Sequence, residues 1–468
     1  MGLGILGGGI ATTKWFLKRG AEITVTDLRR REELKKSIAV LGNDSKKIKF
    51  VLEKHNEEDF KNADFIVVNP AVRILGNKFL EIAAKMKKQI VSDLTLFLKE
   101  VKNPIIAVTG TRGKTTTTNW IAHFLKSRFP KACASGNSSD EALLALSERF
   151  LKDAKTPAVL ELSSFQLEIA DRAHQAPGVS VITNIYQDHM NRHDTMKNYV
   201  LAKANIFKNQ KEGQYLVLNF DNEWTQFFVN QKPKSEIYFF SLRALPKSKY
   251  GLYVHGNTIM FRDKKKESVI YKEQILQLLW ARGEHNLYNF LAAALASFLS
   301  GVSWKEIEKR IITLPDIFLR QEIIIKKKNY TVVNDSAGTS PDAAIAALRR
   351  FSREGKIIYI TGGTDKQLEF KKLADEIKST IEPENLFFLN GSATRRLIRE
   401  LETRHYFRNQ KKNTFEDLKD LLTHVRKRVI LMSDVIVLFS PGAASFEKFE
   451  NEFDRGKKFA EYSKQVFK

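Results

Sequence analysis

Residues 104–125 read Pro104-Ile105-Ile106-Ala107-Val108-Thr109-Gly110-Thr111-Arg112-Gly113-Lys114-Thr115-Thr116-Thr117-Thr118-Asn119-Trp120-Ile121-Ala122-His123-Phe124-Leu125. An apolar run enters a turn bounded by two glycines, and Trp120, Ile121, Phe124 and Leu125 then recur at helical spacing. Strand, glycine turn, helix is the repeating unit of an α/β protein with a parallel sheet. The turn suits a phosphate. Gly110 and Gly113 let backbone N–H groups approach an anion, around Thr111 and Arg112. Lys114 adds a point charge for β/γ-phosphates, and the Thr115 hydroxyl, followed by Thr116, can meet Mg²⁺. The eight-residue phosphate-loop pattern would place glycine at 108, where Val108 stands, so this is a shortened form.

The same strand–turn–helix pattern recurs on both sides. Towards the N-terminus, Gly2-Leu3-Gly4-Ile5-Leu6-Gly7 has the spacing of a dinucleotide fingerprint, with Asp27 ending the next strand, Ile23-Thr24-Val25-Thr26-Asp27. The strand that should precede these glycines is missing from the sequence as it stands, and a start site placed too late is the expected reason. Towards the C-terminus come Ile357-Ile358-Tyr359-Ile360 before Gly362-Gly363, Leu386-Phe387-Phe388-Leu389 before Gly391, and Val435-Ile436-Val437-Leu438-Phe439 before Pro441-Gly442. A long helix is expected from about His285 to Leu299, with Leu287, Phe290, Leu291, Ala294, Leu295 and Phe298 as its apolar stripe. The expected boundaries are 1–98, 99–313 and 314–468, and the length of 468 residues suits about three domains.

Composition narrows the class. At 43% hydrophobic residues the chain can build several cores. No apolar run reaches the roughly 18–20 residues that span a bilayer, and no secretory signal opens the chain. The single cysteine, Cys133, excludes an intramolecular disulfide framework and a cysteine-built zinc site. A cytoplasmic, monomeric enzyme without a membrane partner is the expectation. The formal charge of +23 raises the question of nucleic acid. Yet clusters such as Lys264-Lys265-Lys266 and Lys326-Lys327-Lys328 fall between strand-like runs, where solvated hairpins explain them, and no nucleic-acid motif accompanies them. Substrates bearing phosphates and carboxylates also suit a basic protein.

Two further residues carry possible metal chemistry. Glu161 ends the apolar strand Ala158-Val159-Leu160-Glu161-Leu162, where an unpaired carboxylate would cost several kcal/mol to bury, so it should meet a cation or a strand end. His189 follows a second strand, Val179-Ser180-Val181-Ile182-Thr183-Asn184; by itself it reads as a surface histidine. Two Mg²⁺ ions clamping a transferred phosphoryl group would need such ligands beside the loop. Lys203, in the helical stretch Tyr199–Ile206, reads from spacing alone as an ordinary surface lysine.

In this order the motifs resemble the Mur ligases of peptidoglycan synthesis, and within them the MurD branch. The resemblance covers nearly the whole chain. It rests on Thr109–Thr116, on Leu160-Glu161-Leu162-Ser163-Ser164-Phe165-Gln166-Leu167-Glu168, on Asp188-His189-Met190-Asn191-Arg192, and on Gly283-Glu284-His285-Asn286-Leu287-Tyr288-Asn289. It continues through Asn334-Asp335-Ser336 with Thr339, Gly362-Gly363-Thr364-Asp365-Lys366 and Ser440-Pro441-Gly442-Ala443-Ala444-Ser445-Phe446. The family implies a Rossmann-like N-terminal domain for UDP-N-acetylmuramoyl-L-alanine, a central P-loop domain for ATP with two Mg²⁺ ions, and a Rossmann-like C-terminal domain for glutamate. It implies amide formation through an acyl phosphate, or, as an alternative, another Mur-type or folylpolyglutamate-type ligase, including one that uses L-glutamate.

Residue by residue, the resemblance implies that Lys114 and Thr115 hold ATP phosphates and the first metal. Glu161 and His189 match ligands of the second, and Lys203 matches a lysine that the family carbamylates. Asn286, Arg320 and Asp335 match further ATP contacts. Gly4, Asp27, Arg29, Asn69, Asn137 and Ser163 fall on the UDP-substrate side, and Thr339, Lys366, Ser445 and Phe453 on the glutamate side. The chain departs from the family at Arg112, usually asparagine, at Ala337, usually lysine, at Ser138-Ser139, usually Ile-Gly, and in the longer Pro315–Leu319 segment before Arg320. A dehydrogenase, which the opening glycines could suggest, lacks a hydride-transfer constellation. A nucleotide-dependent binding protein would need no amino-acid pocket.

Overall fold

The computed structural model describes residues 1–5, 7–136, 143–173, 175–407 and 413–467; Asn137, Ser138 and Ser139 lie outside them. The chain is α/β throughout and divides into two compact units, Met1–Leu276 with Tyr288–Leu314, and Gln277–Leu287 with Pro315–Lys468.

The first unit is organised by a nine-stranded sheet. Its spatial order is Glu267–Tyr271, Thr258–Arg262, Gly251–His255, Glu236–Ser241, Tyr215–Asn219, Val179–Ile182, Ile105–Thr109, Ala158–Glu161 and Ala134–Gly136. The first two pairings are antiparallel and the other six parallel. Ile105–Thr109, Ala158–Glu161 and Val179–Ile182 are buried at every position, as expected of parallel strands covered on both faces. From Ile105–Thr109 the chain moves to one side through Ala134–Gly136, returns through Ala158–Glu161, and then crosses to Val179–Ile182 on the other side. Connections therefore diverge at the carboxyl end of Ile105–Thr109, which is where open parallel sheets bind ligands.

Before this sheet lie two small parallel pairs, Ile23–Asp27 with Ile48–Leu52, and Phe65–Val67 with Gln89–Val91. The helix Gly8–Leu17 starts directly after Gly7, as the glycine spacing predicts. Gly2 N–H donates to Thr26 O at 2.7 Å, and Met1 O accepts Asn69 N–H at 3.0 Å, so the opening of the chain bridges the two pairs.

Both lysine clusters sit in exposed antiparallel hairpins, Lys264–Lys266 between Thr258–Arg262 and Glu267–Tyr271, and Lys326–Lys328 between Glu322–Lys326 and Tyr330–Asn334. The helix Glu284–Leu299 differs from the expected stripe. Ala292, Ala293 and Ala296 are as fully buried as Leu291 and Leu295, so its middle is enclosed on all sides rather than along one face.

The second unit carries a six-stranded sheet in the order Glu322–Lys326, Tyr330–Asn334, Val435–Phe439, Lys356–Thr361, Leu386–Leu389 and Asn413–Phe415, with only the first pairing antiparallel. The strands predicted before Gly362, Gly391 and Pro441 are its three inner parallel members. Among the described residues no helix is long and apolar enough to cross a membrane.

Leu160 is fully buried in the middle of Ala158–Glu161, where the strand also positions Glu161. Leu160→Ala is expected to lower stability by about 2–5 kcal/mol, read from the denaturant midpoint of the full chain.

Candidate active site

The phosphate loop is fixed by the end of the neighbouring strand. Thr111 N–H donates to Asn184 O at 2.8 Å, and Arg112 N–H donates to Asn184 Oδ1 at 2.8 Å. Arg112 O in turn accepts Thr183 Oγ1 at 2.6 Å and Asn184 Nδ2 at 3.1 Å. The amides of Thr111 and Arg112 are therefore engaged within the protein. Donors for an anion come instead from the N-terminal end of the helix Lys114–Leu125, whose first amides lack intrahelical acceptors, and from side chains.

Both loop glycines are required by close approach. A Cβ at Gly110 would lie 1.9 Å from Thr183 Oγ1, and one at Gly113 would lie 2.1 Å from Asn289 Oδ1; φ is +147° and +81° respectively. Lys114 Nζ donates to Gly110 O at 3.1 Å and to Thr111 O at 3.2 Å, curling back over the loop.

Lys203 is not a surface lysine. It is 1% exposed, and its Nζ donates to Gly110 O at 2.9 Å and Thr109 Oγ1 at 3.3 Å from behind the loop. It also lies 4.7 Å from the centroid of the Tyr199 ring, whose hydroxyl is 3.1 Å from Thr111 Oγ1. Burial holds the Lys203 amine well below the usual lysine range. The charge of Lys114, and more weakly that of Arg112, adds to the effect, while Asp188 and Glu161 oppose it. Five charged groups thus share one small region.

Glu161 is 2% exposed at the end of its strand, in register with Val108 on one side and Gly136 on the other. His189 takes a left-handed backbone at φ 56°, which turns the chain sharply after Asp188, and its ring centroid lies 5.0 Å from that of Phe165. Asp188 Oδ1 accepts His189 N–H at 2.9 Å. Ser163 caps the short helix Ser164–Leu167, exchanging hydrogen bonds with Gln166.

Around these lies a polar cluster that sequence reasoning did not single out. Arg192 holds Glu168 bidentately, Nε to Oε1 at 2.8 Å and Nη2 to Oε2 at 2.7 Å, and donates to the carbonyls of Pro70, Ala71 and Val72. His193, lowered to about 4 by burial and by the charges of Arg192, His189 and Lys203, stays neutral at pH 7, with Nε2 3.0 Å from Ser164 Oγ. Arg192 and Glu168 both stand in the quoted motifs, but nothing local signals that they pair.

Of the residues expected on the UDP-substrate side, Asp27 is buried, with Oδ2 accepting Gly4 N–H at 3.1 Å and Oδ1 accepting Arg29 N–H at 3.0 Å. The Arg29 guanidinium lies 3.6 Å from Oδ1. Asn69 Oδ1 accepts Ala71 N–H at 2.9 Å, shaping the loop that Arg192 holds.

In the second unit, Asp335 Oδ1 accepts Gln321 N–H at 3.1 Å and Oδ2 accepts Ser440 Oγ at 2.6 Å. Arg320 is exposed and adds its charge to the surroundings of Asp335. Lys366 Nζ donates to Thr339 Oγ1 at 3.4 Å, so two of the residues expected to hold glutamate meet. Ser445 is buried, its hydroxyl without a partner among the described residues, whereas Phe453 is 40% exposed at the start of Glu452–Val466. Asn286 Nδ2 donates to Arg282 O at 2.9 Å. Among the described residues, no group of three or more His, Cys, Asp or Glu side chains is placed to hold a metal by itself.

Comparison with known proteins identifies the family. Residues 1–92 match the Mur ligase MurD-like N-terminal domain, and residues 108–297 match the Mur ligase middle domain. A UDP-N-acetylmuramoylalanine–D-glutamate ligase of Roseiflexus sp. is 37% identical over 98% of this chain and 96% of its own. Enzymes of the same name from Borreliella burgdorferi, 34% identical, and Clostridioides difficile, 32%, likewise match 98% of this chain and 95–96% of theirs. In fold, the chain is similar to MurC of Thermotoga maritima, with a TM-score of 0.59 at 18% identity over 99% and 98% of the two chains. It is similar also to MurF of the same organism in complex with ADP, with a TM-score of 0.55 at 17% identity over 95% of each. The chain belongs to the Mur ligase family. It is an ATP-using ligase.

Asp335 carries a measurable signature. Burial raises its carboxyl to about 7, against the opposing hydrogen bond from Ser440 and the charge of Arg320. The folded protein thus binds this proton more tightly than the unfolded chain. Its contribution to stability is fully present below about pH 4 and falls as pH rises to about 7. Asp335→Asn is expected to flatten that part of the denaturant-midpoint profile between pH 4 and 7.

Proposed function

We propose that this chain joins D-glutamate to UDP-N-acetylmuramoyl-L-alanine in the cytoplasm with consumption of ATP. The observation that carries this reading is identity of 31–37% over 98% of the chain to enzymes of that name. The convergence of Lys114, Lys203, Glu161 and Asp188 at one phosphate loop supports it. In the domain assignment that goes with it, residues 1–98 hold the UDP substrate, 99–313 hold ATP, and 314–468 bring the amino acid.

The chemistry follows from positioning and charge. The substrate carboxylate attacks the γ-phosphorus while Lys114 and the helix end beginning at Lys114 hold phosphate oxygens. The amine of glutamate then displaces phosphate from the acyl phosphate, leaving an amide. By the family resemblance, Asn286, Arg320 and Asp335 are assigned to ATP. Gly4, Asp27, Arg29, Asn69 and Ser163 serve the UDP substrate, and Thr339, Lys366, Ser445 and Phe453 serve glutamate, with Lys366 pairing a carboxylate.

Mg²⁺ fits the donor set. Thr115, Glu161 and His189 supply too few ligands for a protein-only cage, but such ions are commonly held by one or two side chains together with substrate phosphates. The ions would neutralise charge on the transferred phosphoryl group. Lys203 fits carbamylation, because a buried amine depressed by neighbouring cations is readily neutral, and only the neutral amine adds CO₂.

Phosphate release with ATP, UDP-N-acetylmuramoyl-L-alanine and each amino acid in turn tests the reaction. Turnover with D-glutamate is expected, and turnover only with another amino acid or with L-glutamate would overturn the assignment. Lys114→Ala should abolish the reaction. Lys203→Ala should lose at least about 100-fold in kcat and regain part of it with a short carboxylic acid, which replaces the carbamate oxygens; failure of rescue in a folded variant would remove the carbamate.

A further inference from the structure

Arg112 is held at both its backbone and its side chain. Asn184 and Thr183 fix its N–H and its carbonyl, while Nη1 donates to Asp188 Oδ2 at 2.8 Å and to Thr111 O at 3.4 Å. Asp188 is itself 6% exposed and anchored to the backbone of His189, so it cannot follow a moving guanidinium. The other edge of the guanidinium is different. Nε and Nη2 are buried, and neither meets an acceptor among the described residues. These two nitrogens form the side-on fork with which arginine grips two oxygens of one planar or tetrahedral anion.

Buried guanidinium donors without acceptors are costly, and proteins keep them where an acceptor arrives on binding. Arg112 lies two residues before Lys114, in a loop whose ligand is a polyphosphate, so the acceptors that reach it are phosphate oxygens. Lys114 and the helix end beginning there serve the phosphates in general, without separating triphosphate from diphosphate. The added cation is of use where the triphosphate differs from the diphosphate.

Resting on the ligase reading above, we propose that Arg112 grips the terminal phosphoryl group of the nucleoside triphosphate through Nε and Nη2, with Asp188 holding the guanidinium in register. In the transfer, a carboxylate oxygen bonds to the γ-phosphorus as its bond to the bridging oxygen of ADP breaks. The electron pair leaves with ADP, and no proton moves. Charge on the equatorial oxygens faces the fork throughout, which makes Arg112 an arginine supplied by the loop itself.

The test uses nucleotide alone. Dissociation constants for ADP and for the β,γ-imido analogue of ATP, each with Mg²⁺, are measured by calorimetry on the full chain and on Arg112→Ala, Arg112→Lys and Asp188→Asn. Arg112→Ala is expected to weaken the analogue by about 10- to 100-fold while ADP changes less than about twofold. Arg112→Lys should retain the charge but lose the fork, giving an intermediate ratio, and Asp188→Asn should shift the ratio in the same direction. An equal loss for both nucleotides, or an unchanged ratio in either folded Arg112 variant, overturns the proposal. A wild-type protein that binds both nucleotides yet joins no glutamate would remove the amino-acid assignment and leave this inference to stand or fall on its own ratio.

Discussion

The site depends on the hold that the end of one strand has on the turn after its neighbour. Thr183 and Asn184, closing Val179–Ile182, bond the backbone of Thr111 and Arg112 from outside the loop. A glycine turn unsupported in this way would sample many conformations, and ordering it on binding would oppose affinity. Because the parallel register puts Thr109 beside Ile182, the two turns emerge side by side, and the strand ends supply the contacts. The fold class therefore sets the loop geometry, and the loop geometry sets where charge is placed.

Placement of charge is the second constraint. A lysine amine buried behind the loop, a second lysine curled over it and an arginine within it would repel one another if left alone. Two carboxylates resolve this unequally. Asp188 is committed to Arg112 through a direct bond, whereas the acceptors of Lys203 among the described residues are neutral, Gly110 O and Thr109 Oγ1. Burial, with the nearby charge of Lys114, holds its amine well below the usual lysine range. Each positive group is thus assigned a distinct condition: paired for Arg112, depressed for Lys203, and directed at loop carbonyls for Lys114.

Much of this was legible in the sequence, because the phosphate loop, the strand ends and the glycines are local features. Gly110 and Gly113 were readable as glycines that a turn requires, though not that Thr183 and Asn289 are what forbid a side chain there. The depth of Lys203 was not readable. The helix Met196–Ala204 exposes Leu201 while burying Lys203, so polarity along it does not reveal which way a lysine points. Partners far apart in sequence were equally hidden: Arg112 with Asp188, Arg192 with the carbonyls of residues 70–72, and Asn184 with the loop. Periodicity encodes burial along one element, and these contacts are made between elements.

The second unit shows the same rule applied to a different charge. Arg455 is fully buried, yet all of its acceptors are neutral: Ser336 O and Oγ, Ala443 O and Ala444 O. Burial lowers it to about 10, so it remains a cation at neutral pH. One guanidinium therefore fastens the segment after Tyr330–Asn334 to the turn after Val435–Phe439, and Thr364 bonds to Ala444 in both directions to add the turn after Lys356–Thr361. Thr339, Lys366 and Ser445, the residues assigned to glutamate, each stand on one of these three turns. The missing lysine at position 337 consequently removes a side chain from a frame whose rigidity does not depend on it. Arg455 thus fixes the relation between the turns that carry these three residues.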